Sequence, residues 1–101
     1  MEQNLDALQA ASNVYKLSME NDRVRVFDVR FKPGEKAAMH MHPDHMVYVL
    51  NDGKLKLTPS NGKPQVMDLK AGQTIWIDAT SHAAENLGKN DVRMLVVELK
   101  E

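Results

Sequence analysis

The chain has four histidines. Three fall within six residues, His40-Met41-His42-Pro43-Asp44-His45, and the fourth is His82. Side chains two apart on a β-strand point to the same face, so a strand through His40 and His42 presents two imidazoles to one ion about 2 Å from each nitrogen. A lone pair of this kind is most often a polar strand face; a third nitrogen from His82 turns it into a candidate metal centre. Strict alternation along the strand would turn the neighbouring His45 away from His40 and His42. Two roles stay open for His45: a fourth ligand swung in from the Pro43-Asp44 turn, or a residue beside the site or on the surface. Tyr48 and Leu50 share the parity of His40 and His42. Tyr48 therefore either lines the pocket as a candidate catalytic group, with its hydroxyl near the ion, or caps the core. Met39 and Met41 alternate with the histidines and read as packing groups rather than ligands.

Short strands must position these residues. Leu5, Leu8 and Ala11 recur at helical spacing over about residues 4–11, which predicts a short helix covering one end of the fold. From Val14 the period changes to two, with Val24 and Val26 and then Phe27, Val29 and Phe31 alternating with polar residues. The polar face switches after Val26, so either both faces are partly buried there or a bulge intervenes. Turn signals recur at Pro33-Gly34, Asn51-Asp52-Gly53, Pro59-Ser60-Asn61-Gly62, Ala71-Gly72 and Asn86-Leu87-Gly88. Many short strands without a second helical segment favour a sandwich or barrel over a βαβ sheet. Trp76, between Ile75 and Ile77, reads as core filler, and Asp28, Asp78 and Glu85 as surface acids.

Composition narrows the function classes. With 101 residues, 43% of them hydrophobic, the chain is expected to form one packed domain over residues 1–101. Thirteen basic and fourteen acidic side chains are interspersed, which leaves no basic face for nucleic acid. The segment Met1 to Asp6 lacks the basic start and apolar run of a signal peptide, and no stretch is apolar enough to span a bilayer as a helix. A cytoplasmic protein with no membrane partner is expected. The absence of cysteine removes disulfides and thiolate ligands, so a metal must sit on nitrogen and oxygen. There is no nucleophile elbow, phosphate-cradling glycine loop or recognisable carboxylate pair, so all the candidate chemistry rests on the histidines.

Gly34, five residues, His40-Met41-His42 and then Gly53 resemble the first motif of the cupins. Gly72, His82 and Asn86 resemble the second in part. Cupins usually place a proline and a glycine before that histidine; here Asp78 and Thr80 stand in a loop one residue shorter. The resemblance covers about residues 20–99. It implies an all-β double-stranded β-helix, or jelly-roll barrel, with a short N-terminal helix and a metal held inside by His40, His42 and His82. The family's usual fourth ligand is a glutamate, and its position here is Met46. A three-histidine set without the glutamate is similar to thiol and diketone dioxygenases, in which iron binds substrate and O₂ together.

One divalent ion is therefore expected, and imidazole ligands suit Fe, Mn, Ni, Cu or Zn. The expected function is a metal-binding cupin acting as an oxidoreductase on a small molecule, with Tyr48 or His45 moving a proton. The alternative is a non-catalytic module that binds a ligand or senses it. A homodimer is expected from the habit of single-domain cupins, with Val14 to Glu20 adding a strand to a partner's sheet. The runs Glu20 to Val26 and Glu85 to Gly88 are similar to short stand-alone bacterial cupins, some of them assigned to β-alanine degradation.

Overall fold

Alternation along the strands accounts for most of the core. In the computed structural model, which describes residues 5–100, the elements in chain order are α1 (Ala7–Ala10), β1 (Tyr15–Glu20), β2 (Val24–Phe31), β3 (Lys36–His42), β4 (His45–Val49), β5 (Gly53–Pro59), β6 (Gln65–Leu69), β7 (Thr74–Ile77), β8 (Thr80–Asn86) and β9 (Val92–Leu99). Two sheets form. One has five strands in the order β1-β2-β9-β4-β7, and the other has four in the order β3-β8-β5-β6. All named strand pairs are antiparallel. From the five-stranded sheet, Phe27, Val29, Phe31, Val47, Val49, Val92, Met94 and Val96 are buried; from the other come Ala37, Leu55, Leu69 and Ala84. Each fully buried large apolar side chain stabilises the fold by roughly 1.5–3 kcal/mol. This is the two-sheet jelly roll expected from the turn spacing, with edges left open rather than closed into a continuous barrel.

The face switch after Val26 has a clear cause. Val24, Arg25 and Val26 are all half-buried, and the β1 register slips opposite them: Leu17 pairs with Phe27 and Met19 with Val26, leaving Ser18 as the extra residue of a bulge.

The N-terminal segment is tied down more tightly than its short helix suggests. Asp6 caps α1 by accepting a hydrogen bond from the Leu8 amide at 3.2 Å. The expected helix over about 4–11 is confined to Ala7–Ala10, and Asn4 lies outside the described residues. The Met41 amide donates to the Leu5 carbonyl at 2.7 Å, and Asp6 forms a parallel bridge to Met41. The segment thus covers the outer edge of β3, which would otherwise present unpaired backbone groups.

Two turns use glycine for its left-handed backbone: Gly34 has φ +80° and Gly72 φ +86°. Gly53 is required sterically, because a Cβ there would lie 2.7 Å from Cγ2 of the buried Val92. One sequence expectation fails in the fold. Trp76 is not core filler: it sits on the outer face of β7, 54% exposed, and donates its indole N–H to Asp78 at 2.9 Å. On β7 the half-buried positions are Ile75 and Ile77, and alternation turns Trp76 away from them. No helix among the described residues is long and apolar enough to cross a membrane.

Candidate metal centre

His40 and His42 lie on β3, and His82 is the direct cross-strand partner of His40 on β8. Spacing by two and antiparallel pairing therefore place three imidazoles in one patch of the inner face. A bulge helps to aim them. Ala37 pairs with Ala84 and His40 with His82, so Ala38 and Met39 together face only Ala83. The bulge lets both Ala37 and His40 point inward although they are three residues apart.

All three histidines are buried, and one nitrogen of each lies within 4.8 Å of the other two. The ring centroids of His40 lie 4.8 Å from those of both His42 and His82. The His40 Nδ1–H donates to the Ala38 carbonyl at 2.6 Å, which leaves Nε2 with its lone pair. That atom is buried and has no hydrogen-bond partner, alone among the buried side-chain polar atoms of the described residues. A stranded buried acceptor is costly unless something else occupies it. The His42 Nδ1–H donates to Glu98 at 2.5 Å, and Nε2 of His42 faces the Tyr15 hydroxyl at 3.2 Å.

The electrostatics keep the nitrogens free to ligate. Burial pushes His40 down to about 4. Burial, then the neighbouring His40 and His42, pushes His82 down to about 3. Both rings are thus neutral at pH 7, the form a metal needs. Glu98 stays ionised: burial would raise its pKa, but hydrogen bonds from His42 and Arg25 outweigh that and lower it. Arg25 donates to Glu98 at 2.8 Å and also pairs with Asp6. The chain Asp6–Arg25–Glu98–His42 fixes the orientation and tautomer of His42, the arrangement by which a carboxylate tunes a metal-ligating histidine. Burial, then the charge of Glu98, raises the Tyr15 pKa, so its hydroxyl keeps its proton.

Two expectations based on parity need correction. His45 does not turn away: it is buried, and its ring stacks on that of His42 with centroids 4.4 Å apart. Strict alternation failed because Pro43 and Asp44 carry the chain from one sheet to the other, so the inward count restarts at β4. Its Nδ1–H donates to the Pro43 carbonyl at 2.8 Å. It lies outside the set of three mutually close nitrogens. Tyr48 does not line the pocket or cap the core. The same restart puts His45, Val47 and Val49 inside and turns Met46 and Tyr48 outward, with Tyr48 40% exposed. Met46, at the position of the family's usual glutamate ligand, therefore faces away from the histidines.

Sequence reading missed Glu98, Arg25, Asp6 and Tyr15. A signal existed for Glu98: it continues the buried parity Val92, Met94, Val96 along β9, and an acid on such a face needs a buried partner. Asn86, noted only as a motif residue, proves structural. It is buried, donates to the Phe31 and Asn90 carbonyls and accepts from the Gly88 amide.

The fold and site define a two-sheet jelly roll with an internal histidine trio. The profile of the cupin domain matches residues 27–98, and the chain belongs to the cupin family. Among solved structures it is similar to a cupin domain from Bordetella pertussis Tohama I, at 22% identity over the whole of both chains and a TM-score of 0.80. It also resembles a double-stranded β-helix domain protein from Klebsiella pneumoniae, at 25% identity over 87% of this chain and 84% of that one, with a TM-score of 0.66. An RmlC-like cupin from Methanocaldococcus jannaschii matches at 16% identity over 85% and 78%, with a TM-score of 0.69. A search of curated proteins finds no match to the chain.

Proposed function

We propose that this cupin holds one divalent transition-metal ion on Nε2 of His40, Nε2 of His42 and a ring nitrogen of His82, and uses it in a small-molecule oxidoreductase reaction of the dioxygenase kind. The observation that carries the reading is the buried, unpartnered Nε2 of His40, beside two more buried imidazoles. When bound, such an ion would polarise a substrate oxygen or, if redox-active, activate O₂.

The chain's own groups divide the remaining work. Glu98 and Arg25 hold His42 in the tautomer that offers Nε2. The Tyr15 hydroxyl, which keeps its proton and lies 3.2 Å from Nε2 of His42, would be released by an ion on that nitrogen to donate a hydrogen bond to a bound ligand. Burial lowers the His45 pKa and so favours its neutral ring, and with Nδ1 donating to the Pro43 carbonyl the nitrogen left to accept a proton is Nε2. Asp28, Asp78 and Glu85 do not line the cavity. Among the described residues no carboxylate lines it.

Elemental mass spectrometry of untagged protein tests the centre. Near one equivalent of metal is expected, lost in both His40→Ala and His82→Ala, and that result would justify oxygen-uptake assays with small thiols and diketones. Protein that stays metal-free even after anaerobic reconstitution would overturn the proposal.

A further inference from the structure

The histidines occupy only one end of the interior. Beside His42, His45 and His82 a cavity runs between the two sheets, and its other titratable group is Tyr15. Every remaining lining residue among those described is apolar, and none of them carries an ammonium, guanidinium or carboxylate. The lining residues away from the histidines that are only half-buried are Leu57 on β5, Met67 on β6, and Ile75 and Ile77 on β7. They lie on the strands toward the open edges of the two sheets, so the cavity meets solvent through an aliphatic mouth.

Charge and size restrict what could bind. Imidazole ligands bring no negative charge to offset a divalent ion, and Glu98 is already paired with Arg25. An anionic head group is favoured at the ion. Behind it, a charged or hydrogen-bonding tail would lose its water with no partner among the lining residues. The cavity offers about 30 Å³ of room for the centres of water-sized groups, two or three groups at roughly 10–15 Å³ each. An acidic head alone fills that space, and the atoms of a chain lie along Leu57, Met67, Ile75 and Ile77.

We infer that the ligand of this site is a small monoanion: a metal-binding acidic head on a short, uncharged aliphatic tail. The inference rests on the metal-centre reading. Tyr15 donates to the head, the mouth packs on the tail, and Met67 adapts to its length because an unbranched thioether fills irregular space readily.

The test uses Ni(II)-loaded protein titrated calorimetrically with alkyl hydroxamates, whose head binds metals strongly. Acetohydroxamate, propionohydroxamate and butyrohydroxamate vary the tail; the monohydroxamate of succinic acid matches the last in length but ends in a carboxylate. Affinity is expected to rise up to about fourfold per methylene, with the succinic compound at least tenfold weaker than butyrohydroxamate. A Met67→Lys variant should narrow that gap at least fivefold. A flat series, or wild-type protein that binds the succinic compound as well as butyrohydroxamate, would overturn the ligand class while Ni(II) uptake left the metal centre standing. No Ni(II) uptake would overturn both.

Discussion

At one end of the barrel interior, His40, His42 and His45 each commit Nδ1 to a hydrogen bond, and Glu98 is tied to Arg25 and through it to Asp6. At the other, Leu57, Met67, Ile75 and Ile77 form a half-buried aliphatic wall. The first end is directional: hydrogen bonds determine where each lone pair points. The second depends on shape and apolar area alone, which tolerate variation as long as volume is kept. A barrel divided in this way can hold an ion in fixed geometry and still vary what it admits beside that ion.

The largest expected difference between the ends is in pH dependence. His40 and His82 bind protons less readily folded, at about 4 and 3, than unfolded, near 6.5. Below pH 6.5 the unfolded chain therefore takes up protons that the folded chain refuses, and stability falls by up to about 1.4 kcal/mol per pH unit for each group. Urea unfolding of metal-free protein should show a loss of about 3 kcal/mol between pH 6.5 and 5, by the same relation. His82→Leu should flatten that slope, and Ile75→Val should not. Stability that stays level over this range would mean that the folded imidazoles accept protons, and the dry, directional end would be disproved.

Metal affinity should separate the ends next. Glu98→Gln removes the anionic acceptor of the His42 Nδ1–H, and changes of this kind typically cost about 10–100-fold in metal affinity. Met67→Ala, at the aliphatic end, should change Ni(II) affinity less than about threefold. Equal losses in competition titrations against a chelator would show that the ends are not independent.

The smallest effect compares the two tyrosines. Tyr15→Phe leaves Nε2 of His42 without its hydroxyl partner and should destabilise metal-free protein by about 1 kcal/mol. Tyr48→Phe, on the outer face, should stay within about 0.5 kcal/mol. A larger loss for Tyr48→Phe in chemical denaturation would give that exposed ring a role the fold does not assign.

Much of the fold and part of the site were legible in the sequence, because they depend on spacing. Period two on β2, turns at Gly34 and Gly72, and the pair His40 and His42 are properties of neighbouring residues, and local backbone geometry reads them directly. The glycines and Asn86 of the family motifs acquire physical reasons in the structure: positive φ at Gly34 and Gly72, the Val92 methyl against Gly53, and a three-bond loop anchor at Asn86.

Counting along one strand misled wherever the chain changed sheets. Parity counted from His40 fails for His45 and Tyr48 because it ends at Pro43-Asp44, and a strand entering the opposite sheet starts its own count. By itself, then, the sequence determined a β fold with short strands and an HxH pair able to present two nitrogens to one ion. Only the tertiary structure decided that His82 stands opposite His40, that Glu98 and Arg25 hold His42, and that Tyr15, not Tyr48, faces the site. Those contacts join residues as far as 73 positions apart; they depend on which strands pair and which sheets face, and no local spacing encodes that.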